Sequence, residues 1–188
     1  MIVKYKKHGV KTGKEKWAFS ITKKGTSYIM KGGVFVKIQW KKLIICILIP
    51  LAVGGLSALL TQNSMQTFDT GTKPPLSPPG WLFPVVWTIL YILMGIASYL
   101  VAVSQTPNRM ALTVYGIQLA FNFFWSILFF NLELYLFAFI WLLALWILIL
   151  ITIVMFSKIS KTAAYLMIPY FIWVTFAGYL NLAIYLLN

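Results

Sequence analysis

Chemistry in this chain would fall to amides and aromatic rings more than to titratable groups. In the third apolar run, Gln118, Asn122 and Ser126 recur at i, i+4 and i+8, so a helix would carry them as one polar stripe, with Trp125 adjoining it. In the second run Trp87, Tyr91 and Gly95 share a face, and in the fifth Tyr170, Trp173, Ala177, Asn181 and Tyr185 succeed one another at steps of three and four. Three such faces turned inward would wall a cavity with aromatic rings and a few amides, suited to a large, flat, mostly apolar ligand. The same residues also suit a plainer role, in which the amides bond helix to helix and the rings pack or sit at the membrane interface. Both readings stand on the spacing alone.

Ordinary catalysis lacks its parts. The one histidine, His8, lies in a basic N-terminal arm, which excludes a haem-ligating histidine pair, a Ser-His-acid triad and a histidine zinc site within the apolar runs. The one cysteine, Cys46, forms no intrachain disulfide and no cysteine metal cluster, and reads as a small packing residue. The acids are Glu15, Asp69 and Glu133, so no apolar run carries a carboxylate near its centre for proton-coupled transport. Glu133 comes two residues after Asn131 and is read as a first-turn acid behind an Asn131 N-cap. No lysine lies within a run to form a Schiff base. The chain is therefore expected to have no catalytic residue, no metal site and no required cofactor.

Composition dictates the segments that carry these stripes. With 61% hydrophobic and 10% charged residues, 17% aromatics and a mean hydropathy of +0.85, this is an integral membrane protein. Apolar runs cover residues 43–60, 81–103, 110–130, 134–156 and 163–187, each near the roughly 17–25 residues that a spanning helix needs. They are continuous rather than alternating, which favours an all-α bundle of five membrane helices over a barrel. Residues 1–42 form a separate basic arm, expected to be disordered or held on anionic headgroups, and residues 61–80 form the first loop. Met30 offers an alternative start. The run at 43–60 is too long for a signal peptide and lacks a small-residue cleavage pattern.

Charge gives the orientation. Twelve lysines before residue 43, with Arg109, Lys158 and Lys161, fall on one side of a five-span chain, and Lys73 falls on the other. Positive residues are retained in the cytoplasm, so the N-terminus is expected inside and the C-terminus outside, in a bacterial cell membrane. The lipid bilayer is the expected surroundings, and nucleic acid is not expected as a partner. Gly54-x-x-x-Ala58 and Gly116-x-x-x-Ala120 are pairs that let helices approach closely, and Gly116 with Ala120 is the choice for a homodimer seam. Gly178 is read as leaving room for a ligand.

A proline-dense passage, Lys73-Pro74-Pro75-Leu76-Ser77-Pro78-Pro79-Gly80-Trp81, runs into Pro84 and Trp87. Its fixed φ angles make it a stiff loop over a membrane helix. With Gln118-Leu119-Ala120-Phe121-Asn122 and Trp125, and with Ile168-Pro169-Tyr170-Phe171-Ile172-Trp173-Val174-Thr175-Phe176-Ala177, Asn181 and Asn188, it resembles the TspO/MBR family, the tryptophan-rich sensory and translocator proteins. The likeness covers residues 43–188 in order and spacing. It implies a five-helix bundle, commonly a homodimer, that binds porphyrins, sterols or benzodiazepine-type ligands in a pocket capped by the first loop. Trp87, Asn122, Trp173 and Ala177 match pocket positions, and Lys73, Pro74, Pro75, Pro78, Pro79 and Trp81 match the lid.

Departures from the pattern are specific. Leu76 stands where an aromatic is usual, and Phe68-Asp69 where a Trp-Tyr pair is often found. Residues 183–188 lack the basic residue that ends the proposed cholesterol-recognition pattern, so sterol recognition by that route is not expected. The resemblance thus implies a receptor or transport protein for a porphyrin-type tetrapyrrole or another hydrophobic small molecule. Without a spanning histidine, a metal-free porphyrin or a haem not ligated by histidine is the natural guest. Light-dependent porphyrin breakdown and a stress-regulatory role through partner proteins are the alternatives.

Overall fold

In the computed structural model the described residues are 20–23, 26–31, 34–70, 74, 77–106 and 108–187, with side chains described at 38–64, at 74 and, within the later segments, from 77 onward. Helices α1 (Trp40–Thr70), α2 (Leu82–Ala102), α3 (Arg109–Ser126), α4 (Tyr135–Ile159) and α5 (Lys161–Leu187) each fall on one of the five apolar runs. All five are long and apolar enough to cross a membrane. In hydrocarbon an unpaired peptide group costs several kcal/mol, and a helix pairs its own.

The bundle packs α1 on α2 and α3, α3 on α4, α4 on α5, and α5 back on α2. Its centre is filled by Met94, Leu145, Ile149, Phe156, Met167 and Tyr170. Outward faces stay apolar, as with Ile44, Leu48, Leu59, Ile140 and Ile172, which suits lipid and would be a liability in water. Alternating helix directions gather the end of α1, the start of α2, the end of α3, the start of α4 and the end of α5 at one end of the bundle, where the proline passage lies. The other five helix ends form the opposite end.

Contact between α1 and α2 is unusually close. A Cβ added at Gly95 would lie 2.5 Å from the Cα of Ile47 and 2.8 Å from the carbonyl oxygen of Cys46. One at Gly54 would enter the ring of Tyr91. Gly54 therefore serves packing inside the bundle.

Four expectations change. First, α1 does not stop at residue 60 but continues to Thr70, so half of the expected 61–80 loop is helix. The apolar run marks where hydrocarbon ends, whereas the helix ends where its backbone stops being paired. Second, the arm, expected to be disordered or held on anionic headgroups, carries antiparallel strands β1 (Ser20–Lys23), β2 (Thr26–Lys31) and β3 (Val34–Lys37), in the order β1-β2-β3. Their registers pair Ile21 with Tyr28 and Ile29 with Val36. Sequences such as Tyr28-Ile29-Met30 and Val34-Phe35-Val36 have the β-branched and aromatic content of strands, which lysine content obscured. The division between the two compact units falls after Gln39 rather than after residue 42.

Third, α3 runs into a π-helical turn, Ile127–Asn131, in which the Leu132 N–H reaches the carbonyl of Ile127 at 3.1 Å. Asn131 belongs to that turn and donates from Nδ2 to the carbonyl of Leu60 at 2.9 Å, so it cannot cap α4. The residue before α4 is Leu134, and Glu133 sits in the connection with φ of 52°, outside the helix. Fourth, Gly178 faces α4, where an added Cβ would meet Leu142 Cδ2 at 3.5 Å; it accommodates a helix rather than a ligand.

Candidate functional site

Asn122 joins the three helices whose faces were derived from spacing. Tyr91 of α2 donates its hydroxyl hydrogen to Asn122 Oδ1 at 2.9 Å. Asn122 Nδ2 donates to the Tyr170 hydroxyl of α5 at 3.0 Å. Tyr170 donates onward to Gln118 Oε1, also at 3.0 Å. Every donor in this relay points the same way, from Tyr91 through Asn122 and Tyr170 to Gln118. Gln118 and Asn122 fall on one face because they are four apart in α3, and both are 1% exposed or less.

Aromatic rings cover this relay. Trp87, one turn before Tyr91 in α2, stacks on it with centroids 5.4 Å apart and meets Tyr170 edge-on at 6.1 Å. Trp173 lies edge-on to Phe83 at 6.0 Å and is tilted against Phe176 at 5.6 Å. Trp87 and Trp173 are half-buried, which leaves ring surface open. Two buried donors at this site have no acceptor among the described residues, Gln118 Nε2 and Trp173 Nε1. Such groups are rare in native interiors and point to a polar guest or solvent at these atoms.

Trp125 and Asn181 form a second cluster. The Trp125 Nε1–H donates to Asn181 Oδ1 at 3.2 Å, and Asn181 Nδ2 donates to the carbonyl of Tyr135 at 2.8 Å. Trp125 also stacks on Phe129 at 5.3 Å. This arrangement ties α5 to α3 and to the first turn of α4, so the plainer role of amides as links between helices holds here. Replacing Asn181 with leucine strands the indole N–H and lowers stability by about 1–3 kcal/mol. Thermal unfolding in lipid nanodiscs measures the loss, and an unchanged midpoint would remove the clamp.

Other expected residues divide. Ala177 is buried on the inner face of α5, whereas Tyr185 is 40% exposed and has left it. Gly95 packs α1 instead of lining a cavity. Gly116 and Ala120 lie on the exposed side of α3, away from Gln118 and Asn122, and a Cβ at Gly116 would meet nothing. In the lid, Pro74 is buried and its carbonyl accepts from the Ser77 N–H at 3.2 Å and from Ser77 Oγ at 2.8 Å. The Pro79 carbonyl accepts from the Leu82 N–H at 2.9 Å. Pro78 is half-buried and Pro79 exposed, while Trp81 is 67% exposed and turned outward. Lys73, Pro75, Leu76 and Asn188 lie outside the described residues.

Sequence reading missed Phe83 and Phe129, although each had a signal. Phe83 precedes Trp87 by four and Phe129 comes four after Trp125, so each shares its tryptophan's face. Tyr135 contributes a backbone carbonyl to Asn181, for which no residue type is a signal, and its ring meets Phe129 edge-on at 5.4 Å.

Residues 46–187 match the sequence profile of the TspO/MBR family. The chain is 43% identical over 150 residues to the tryptophan-rich protein TspO of Archaeoglobus fulgidus, covering 78% of this chain and 97% of that one. It is 39% identical over 150 residues to the tryptophan-rich protein TspO of Chlorobaculum tepidum, with coverage of 78% and 95%. Similarity extends to the translocator protein of Bos taurus, 32% identical over 139 residues, with coverage of 71% and 82%.

Proposed function

This chain belongs to the TspO/MBR family of multi-pass membrane proteins, and on that footing we propose that it is a receptor or transport protein for a porphyrin-type tetrapyrrole or a similarly flat, amphipathic molecule, held among α2, α3 and α5. The observation that carries the reading is the pairing of open ring surface on Trp87 and Trp173 with two unengaged buried donors, Gln118 Nε2 and Trp173 Nε1. Stacking supplies most of the affinity, and the donors take an acceptor on the ligand's polar edge. Asn122 plays a supporting part, because both ends of its amide already hold the tyrosines beneath Trp87. The Pro74 and Pro79 turns stiffen the lid, which reduces the entropy lost when it closes over a guest.

Protoporphyrin titrated into the purified chain is expected to quench tryptophan fluorescence saturably. A Trp87→Ala, Trp173→Ala double variant removes both stacking surfaces, at about 0.5–1.5 kcal/mol each beyond area burial, and weakens binding about tenfold or more. Affinity equal to the parent chain would rule out this site.

A further inference from the structure

The two ends of the bundle carry unlike charge. Lys41 and Lys42 lie in the first turn of α1, Arg109 opens α3, Lys158 lies in the last turn of α4, and Lys161 opens α5. All five side chains are exposed. Since α1 packs on α3, α3 on α4 and α4 on α5, these cations ring one end of the bundle. Among the described residues no acid pairs with any of them, and the one acidic side chain described, Glu133, lies at the opposite end.

Helix stability does not account for this placement. A helix N-terminus carries partial positive charge, so a cation there is disfavoured. Lys41, Lys42, Arg109 and Lys161 all occupy N-terminal turns, and only Lys158 sits where the dipole favours it. An anion outside the chain is therefore what this surface fits. Depth identifies the anion, because the cations stand at the terminal turns of spanning helices, where headgroup phosphates lie. Trp40 and Tyr165 flank the ring at 48% and 66% exposure, with the amphipathic character that suits that depth.

We propose that this end of the bundle is a binding surface for the phosphate headgroups of anionic lipids. Arg109 offers a planar fork for two phosphate oxygens, and the lysines offer mobile point charges. Each cation near an anionic surface contributes roughly a fivefold gain in affinity. Sidedness of insertion also favours cations at one end, but it asks nothing of the lipids retained afterwards.

The test uses the full chain purified in neutral detergent with equal phosphatidylglycerol and phosphatidylcholine, so that insertion no longer enters. Native mass spectrometry counts the lipids carried. The parent chain is expected to retain phosphatidylglycerol at least tenfold over phosphatidylcholine. A variant with Lys41→Gln, Lys42→Gln, Arg109→Gln, Lys158→Gln and Lys161→Gln is expected to lose most of that preference. A second variant, with Lys41→Arg, Lys42→Arg, Lys158→Arg and Lys161→Arg, is expected to keep it, which separates charge from damage to the fold. Equal retention of the two lipids by the parent chain would overturn the proposal. So would a preference that survives the glutamine variant, since it would belong to the lysines before Lys41, or loss of the preference in the arginine variant. Competition by inorganic phosphate at constant ionic strength that removes the preference would replace the lipid with a free anion.

Discussion

Replacing Gly95 with valine is expected to destabilise the bundle by about 3 kcal/mol or more, the largest loss of any single glycine substitution in the spans. The obstacle is backbone on the facing helix, the Cα of Ile47 and the carbonyl oxygen of Cys46, and neither can rotate aside. Alanine already brings its Cβ into that contact, so α1 must be displaced along with everything packed on it. Gly55 and Gly116 give the opposite sign, because an added Cβ meets nothing at either position. There, alanine gains about 1 kcal/mol from helix propensity. Thermal unfolding of the three variants in nanodiscs checks the contrast, and a Gly95→Ala variant as stable as Gly116→Ala would show that α1 and α2 do not touch in this way.

Asn122→Leu carries the second large effect. It strands the Tyr91 hydroxyl and removes the donor to Tyr170, two buried groups at once. A single interhelical hydrogen bond in lipid is worth about 0.6 kcal/mol, but a stranded buried group costs about 1–3 kcal/mol, so the variant loses about 2 kcal/mol or more. Tyr91 also supports Trp87 from below, so protoporphyrin affinity is expected to fall with stability. A double-mutant cycle isolates the cause. Tyr91→Phe is costly in the parent chain and nearly neutral once Asn122 is leucine; additive losses would mean that the two side chains do not interact.

The features readable from residues alone are those that the physics of lipid imposes. Five spans were legible because a segment such as 134–156 has no stable way to cross hydrocarbon except as a helix. The continuation of α1 through Thr61, Gln62 and Asn63 was not, because hydropathy reports the solvent and not the hydrogen-bond ladder. In the site, the four-residue step from Gln118 to Asn122 placed both amides on the buried face. Their partners were beyond reach, since Tyr91 and Tyr170 are 31 and 48 residues from Asn122 and the crossing of α2, α3 and α5 decides which hydroxyl meets which amide. Asn131 was misread for a related reason. Its amide has a local use as a cap and a distant one at Leu60, and only packing chooses between them.

The π-helical turn at Ile127–Asn131 gives the chain a place where its length can vary inside a span. A turn that reaches five residues back holds one residue more than an α-turn needs. Removing that residue would restore a regular α-turn, which closes in four residues at nearly the angle the π-turn reaches in five, so the chain beyond it would stay close to its place. The stripe from Gln118 to Trp125 would stay in place on one side, and the contact between α3 and the carbonyl of Leu60 on the other. Between relatives of this chain, a one-residue gap in the middle of a membrane helix is usually taken for a misalignment. At this turn it has a physical home, and drift in length can pass through it without disturbing the loops on either side.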